Sequence, residues 1–306
     1  MSQGSLQELH RVPLEGQVVA SFGRRYLVEL ADATILECVT RGRRHDVACG
    51  DRVRASRSDA RQGVIEEIAP RSTLLYRSDA HREKLVCANA TQIAIVAAAV
   101  PAFSHDLINR CLIAAEHGGM SALLVLNKSD LPQTTAARAS LQEYTDLGYR
   151  LVTLCAKRDL RPLLPHLEDR ASVLVGQSGM GKSTIVNRLV PDAAARVAEV
   201  STALKSGRHT TTHTRLYRLG ATSSIIDSPG MQAFGLHHLG WQDAAQAFLE
   251  FRPWLGHCRF RDCRHLAEPG CAIEEAQRAG KITAGRLASY RRLAGELTHR
   301  GKIRRR

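Results

Sequence analysis

"ASVLVGQSGMGKST", Ala171–Thr184, decides how the whole chain is read. Its first five residues are an apolar run that reads as a buried strand. "KSTIVNRLV" from Lys182 reads as a helix. Between and across them, Gly176, Gln177, Ser178, Gly179, Met180, Gly181, Lys182, Ser183 and Thr184 stand in phosphate-loop spacing. The glycines let successive backbone N–H groups turn inward around phosphate oxygens. The Lys182 ammonium can reach the outer phosphates, and the Ser183 hydroxyl can face a magnesium ion. The helix N-terminus adds partial positive charge.

Working outward, three further motifs follow strands. Upstream, "LLVLNKSDLP" (Leu123–Pro132) ends an apolar strand in Asn127, Lys128, Ser129 and Asp130. Ligands of open α/β sheets bind at such carboxyl strand ends. The expected chemistry is guanine reading. Asp130 can accept from the ring N–H and the exocyclic amine, a donor pair adenine lacks. Lys128 can lie along the base plane, and Asn127 can tie loops together. "TLCAK" (Thr153–Lys157) ends the next strand and places the Ala156 N–H for the guanine carbonyl. Downstream, "DSPG" follows "SSII": Asp227 can hold magnesium through water, and the Gly230 N–H can meet a γ-phosphate. Between the two lies "GRHTTTHT" (Gly207–Thr214), where a threonine hydroxyl can complete the magnesium shell. The residues alone do not choose among Thr210, Thr211 and Thr212.

The rest of the chain divides around this region. From 12 to 70, "GQVVASF", "RYLVEL", "TILECVT", "DRVRAS" and "GVIEEI" are five short strands at roughly ten-residue spacing, which predicts an OB-fold β-barrel that binds RNA. Arg41, Arg43 and Arg44 share a turn, and Arg52, Arg54 and Arg57 lie on or near one strand face. From 71 to 232, strands and helices alternate: strands at 92–98, 121–127, 150–155, 171–175 and 223–227, helices at 106–119, 137–148 and 182–190. This predicts a parallel sheet covered on both faces. From 233 to 306 the pattern turns helical and ends in a basic tail.

Forty-three Lys and Arg against 30 acidic residues leave a net charge of +13, which points to a polyanionic partner and favours nucleic acid over a membrane surface. The first residues carry no basic-then-apolar leader, and the location expected is the cytoplasm. Three of eight cysteines crowd beside a histidine in "CRFRDCRHLAEPGC". Cys258, Cys263, His265 and Cys271 suit a closed tetrahedral zinc site, one structural Zn²⁺, with no position open to water. His257 reads as a polar neighbour.

The order NKSD, CAK, GQSGMGKST, GRHTTT, DSPG, with a barrel before it and a Cys/His module after it, resembles the circularly permuted small ribosomal subunit biogenesis GTPases of the RsgA/YjeQ family. The resemblance covers roughly residues 15 to 275. It implies a bacterial GTP hydrolase with Mg²⁺, stimulated by the small subunit and acting late in that subunit's assembly. It implies small-subunit rRNA, GTP and GDP as partners, with other assembly factors besides, and a monomer. It assigns Thr211 as the magnesium ligand beside Ser183, and His209 as the candidate that completes catalysis with Lys182 and Thr211. Met231 stands where many GTPases carry a water-orienting glutamine, so slow intrinsic hydrolysis is expected; Gln232, one place late, is a weaker substitute. Because the cut falls after DSPG, residues 234–275 are expected to change placement between GTP and GDP states. Two alternatives stand beside this one: an RNA-binding module that uses GTP only as a conformational ligand, and an ATP-using P-loop kinase, against which Asp130 argues.

Overall fold

A computed structural model describes residues 13–42, 46–78, 83–191, 214–228 and 235–303. Five strands open the chain: β1 (Leu14–Phe22), β2 (Arg25–Leu30), β3 (Ile35–Thr40), β4 (Arg52–Arg57) and β5 (Gln62–Ile68). Their side chains alternate, so Val18, Tyr26, Val28, Leu36, Cys38, Val53 and Ile65 all turn inward and are buried. The strands pair in the order β1-β2-β3-β5-β4, and β4 pairs back onto β1, which closes a barrel. The β3–β5 contact is parallel and the others are antiparallel. This is the OB-like barrel expected from the strand spacing. The same alternation puts Arg52 and Arg54 on the outer face. Arg57 is only half-exposed; Arg43 and Arg44 lie outside the described residues.

A hairpin of β6 (Leu74–Ser78) and β7 (Glu83–Ala88) follows. Arg71 anchors it to the barrel: its Nε and Nη2 donate to the fully buried Asp51 carboxylate at 2.7 and 2.8 Å. Neither hairpin strand was anticipated, because the segments are short and mix basic with apolar residues.

The α/β layer holds β8 (Gln92–Ala98), α1 (His105–His117), β9 (Ser121–Asn127), α2 (Thr134–Ser140), α3 (Gln142–Asp146), β10 (Arg150–Thr153), β11 (Ala171–Val175), α4 (Lys182–Leu189), β12 (Thr214–Arg218) and β13 (Ser224–Asp227). The strand order is β10-β9-β8-β11-β13-β12. All neighbours are parallel except β12, which runs antiparallel to β13. β8 is buried along its full length, as its unbroken apolar sequence requires. The helix expected over 137–148 is instead two short helices that break at the buried Leu141. β12 was also not anticipated. It continues the sheet into the barrel: Ala20 pairs with Arg215 and Ser21 with Thr214. A bulge between Val18 and Ala20 bends β1, so its first half faces β4 and its second half faces β12.

The C-terminal unit contains α5 (Trp241–Gln246), a 3-10 turn (Leu249–Trp254), α6 (Ala272–Arg278) and α7 (Ala284–Ile303). It packs on α1, and one core runs through Ile108, Leu112, Phe248, Phe251, Tyr290 and Leu293. Arg286, only 1% exposed, sits inside this seam. It donates to Glu250 at 2.6 Å and to Asn109 of α1 at 2.6 Å, and lies 4.4 Å from the Phe248 ring centre. Arg110 to Glu296 at 2.6 Å and Arg252 to Glu116 at 2.8 Å close the flanks. Among the described residues, no helix is long and apolar enough to cross a membrane.

Candidate active site

The parallel strands bring the separate motifs to one end of the sheet. Asn127 closes β9, Thr153 closes β10, Val175 closes β11 and Asp227 closes β13. The connections leave β8 and β11, which are neighbours, in opposite directions, so a crevice opens above their carboxyl ends.

The loop after β11 is held by contacts that need its glycines. Gly176 has φ 154°, and a Cβ there would lie 2.3 Å from the Val96 carbonyl oxygen. Gly181 has φ 98° at the start of α4, and a Cβ there would lie 2.2 Å from Asn127 Nδ2. Gln177 accepts from the Ser104 N–H at 2.8 Å, which ties the loop to the N-terminus of α1. Ser178, Gly179 and Ser183 are exposed, Met180 is buried beneath the loop, and Thr184 is half-buried. Lys182 is buried, and its Nζ donates to the carbonyls of Gly176 at 2.6 Å and Gln177 at 3.1 Å. Burial pushes the Lys182 pKa down, opposed by the Asp227 carboxylate. Burial in turn raises the Asp227 carboxyl to about 6, and Lys182 pulls it back. An ammonium and a carboxylate that share a poorly solvated pocket suit a ligand that brings both phosphate charge and a divalent cation.

Asn127 joins the two halves of the crevice. Its Nδ2 donates to the Met180 carbonyl at 2.9 Å, and its Oδ1 accepts from the Ala156 N–H at 2.9 Å. Lys128 takes φ 60° and donates from Nζ to the Val100 carbonyl at 2.7 Å. Ser129 and Asp130 are exposed at the rim, and the Ser129 N–H donates to the Leu154 carbonyl at 3.1 Å. The Cys155 thiol hydrogen bond, with Arg158 and Lys157 nearby, holds the Asp130 carboxyl below its usual range. It is therefore an ionised acceptor at neutral pH. Ser228 donates to the Leu174 carbonyl at 2.8 Å and fixes the chain just past Asp227. His209, Thr210, Thr211, Thr212, Gly230, Met231 and Gln232 lie outside the described residues.

A second constellation lies in the C-terminal unit. The ligand atoms of Cys258, Cys263, His265 and Cys271 all lie within 4.8 Å of one another. Nδ1 of His265 is 3.5, 3.6 and 3.4 Å from the three sulfurs in that order. A tetrahedron with metal–sulfur arms of about 2.3 Å and a metal–nitrogen arm of about 2.0 Å has S···N edges of about 3.5 Å. The donor set therefore fits one zinc ion in both chemistry and size. Glu268 accepts from the N–H groups of Arg264, Leu266 and Ala267 and shapes the loop. Tyr290 of α7 donates to the Arg264 carbonyl at 2.8 Å and fastens it to the helical layer. His257 is exposed and outside the cluster.

Residues 68–237 match the family model described as RsgA GTPase. The chain belongs to the RsgA GTPase family. It is 54% identical over 286 residues to the protein named small ribosomal subunit biogenesis GTPase RsgA of Nitrosospira multiformis, covering 93% of this chain and 91% of that one. It is 49% identical to the protein of the same name from Neisseria meningitidis serogroup B, covering 92% of each chain. The crystal structure of YjeQ from Thermotoga maritima superposes with a TM-score of 0.72 at 26% identity, covering 94% of this chain and 99% of that one. The structure of YloQ, described as a circularly permuted GTPase, shares the fold with a TM-score of 0.68. As an RsgA-family member the protein is a GTP hydrolase, and its motif order on this sheet is circularly permuted.

Several contacts of this RsgA-family site were not read from the sequence. Ser104 and Gln177 sit 73 positions apart and meet only because β8 and β11 are neighbours. The Arg286–Glu250–Asn109 seam left no signal, because an arginine in a basic stretch looks solvated.

Proposed function

We propose that this GTPase acts in late maturation of the small ribosomal subunit, and that engaging the subunit raises its GTP turnover. The observation that carries the reading is the meeting of the Asn127–Asp130 loop, the Gly176–Thr184 loop and Asp227 at one sheet end that is fused to an OB-like barrel. The names of the relatives supply the subunit. The chain works as three units: a barrel over 12–70, the permuted nucleotide unit over 71–232 and a zinc-bearing helical unit over 233–306. The barrel and the basic C-terminal stretch hold rRNA. On the barrel, Arg54 pairs with Glu67 and Arg41 with Glu66. Exposed pairs of this kind are weak enough to exchange for phosphate.

In this reading, Asp130 reads the guanine edge, the Ala156 N–H meets its carbonyl, and Lys128 covers the base. Gly176 to Thr184 cradle the phosphates, with Lys182 on the outer ones. Ser183 and Thr211 hold magnesium, with Asp227 behind them, and magnesium when bound neutralises charge between the β- and γ-phosphates. The Gly230 N–H senses the γ-phosphate. His209 orients the attacking water in place of the glutamine that Met231 replaces. One zinc ion holds the Cys258, Cys263, His265 and Cys271 loop in shape. The protein works as a cytoplasmic monomer alongside other assembly factors.

The test is turnover of purified protein with small subunits, large subunits or bulk RNA. Stimulation by small subunits alone supports the reading. Equal rates in all three arms overturn the proposed link between the small subunit and GTP turnover.

A further inference from the structure

Phe260 is 44% exposed, the one aromatic among the large apolar side chains that stand out to solvent in the described residues. Single exposed apolar residues are ordinary on a surface. Two features set this one apart. First, its backbone is held at several points. It lies between two cluster ligands, Cys258 and Cys263, and its carbonyl accepts from the Cys263 N–H at 3.3 Å. The adjacent Arg259 N–H donates to the Gly270 carbonyl at 3.0 Å. Second, a cation lies against it and others are close in the chain. Arg259 places its guanidinium 5.5 Å from the ring centre, and Arg261 and Arg264, one and four positions further along the chain, are exposed. The same loop carries two acids, Asp262 and Glu268, and the Glu268 carboxylate is turned to three backbone N–H groups.

A fixed, accessible ring flanked by arginines has the two properties that single-stranded nucleic acid needs: a flat face for a base and charge for the adjoining phosphates. A protein partner would be matched by an apolar patch, and Phe260 is the one exposed large apolar side chain among residues 235–297, with an arginine on each side of it in the chain.

We propose that Phe260 is a stacking platform for one unpaired RNA base, with Arg259 and Arg261 on the flanking backbone. The inference rests on the rRNA reading above and adds to it a defined contact on the Cys/His loop. Stacking is sequence-tolerant, so the platform selects for an unstacked base rather than for its identity.

The test uses full-length, zinc-loaded protein with a 12-nucleotide single-stranded RNA, a 12-base-pair RNA duplex and purified small subunits. Phe260→Ala should weaken binding to the single strand and to small subunits by about five- to a hundred-fold, with little change for the duplex. Phe260→Trp should restore binding, and Phe260→Leu should behave like the alanine variant, because leucine keeps apolar area but has no π-face. Arg261→Gln should flatten the dependence of log affinity on log salt by about 0.7. Metal content and GTP affinity, measured in parallel, should match the parent and show that the loop is folded. Parent-like RNA binding by Phe260→Ala overturns the platform and leaves the rRNA reading standing. So does parent-like binding by Phe260→Leu, and so does a loss confined to small subunits, which would mean a protein neighbour. If the parent binds neither the single strand nor small subunits, the rRNA reading and the platform fail together.

Discussion

Asp130 and Lys182 stand at opposite ends of the crevice and differ in how tightly the fold grips them. Asp130 is exposed at the open rim, so replacing it should disturb the fold little. Asp130→Asn is expected to weaken GTP binding and shift preference toward xanthine nucleotides, whose edge carries an acceptor where guanine carries its amine. Titration with both nucleotides checks this, and unchanged GTP affinity would remove Asp130 from the base site. Lys182 is buried and bonded to two carbonyls of its own loop, so its charge is in place before any phosphate arrives. Lys182→Ala should reduce turnover about a hundred-fold or more and weaken GDP as well as GTP. Thr211→Ala should slow turnover with GDP affinity nearly intact, since a magnesium-and-γ-phosphate ligand matters only in the triphosphate state. Equal losses of GDP affinity in both variants would contradict this division of roles.

Among the elements, those that the sequence revealed and those it concealed differ in physical kind. β8, β9 and β11 are buried on both faces and so read as unbroken apolar runs. The carboxyl ends of β9, β11 and the apolar β13 then located Asn127, Gly176 and Asp227. The four metal-loop ligands were equally legible, because their spacing is local. What stayed hidden depends on distant chain. β12 is five residues with no clear pattern, and it is a strand because β13 and β1 lie on either side of it. The α1 seam is a meeting of helices far apart in sequence. Two expectations belong to this scale. Protein purified without added metal should carry one zinc per chain, and Cys263→Ala should abolish it while GTP affinity changes little; elemental analysis and nucleotide titration decide. Glu250→Ala should leave the Arg286 charge buried without its carboxylate and cost about 3–5 kcal/mol, read as a lower midpoint of urea unfolding. Glu274→Ala, whose Arg278 partner is exposed, should cost well under about 1 kcal/mol.

For the molecule as a whole, the question is which parts move when the γ-phosphate is lost. Repositioning residues 234–275 against the nucleotide unit would break the Arg252–Glu116 pair, draw the Glu250 carboxylate away from the buried Arg286, and expose the core that Phe248 and Phe251 share with α1. Coupling free energies between sites are typically about 1–3 kcal/mol. Uncoupling even one buried charge costs more than that. The helical unit and α1 are therefore expected to travel as one body, and the nucleotide-linked change should concentrate at the start of β12, where Thr214 and Arg215 pair with Ser21 and Ala20 of β1. Amide exchange in GTP-analogue and GDP states should differ in 207–218 and at Ala20–Phe22, with equal protection along α1 and α7. Protection lost along the seam in one state would instead support displacement of 234–275.

The pairing of β1 with β12 also bears on self-association. The lateral strand of an open sheet offers unpaired N–H and C=O groups, an invitation to strand addition by a second copy or a foreign peptide. In this fold the barrel takes that margin within the same chain, at Ala20 and Ser21. The opposite margin, β10, is four residues long and begins with the exposed Arg150, two of the devices by which natural sheets discourage edge-to-edge joining. A sheet so terminated leaves a second copy or a foreign strand only a short, charged edge to extend, so partners are expected to meet this sheet at its loops and not along its margins.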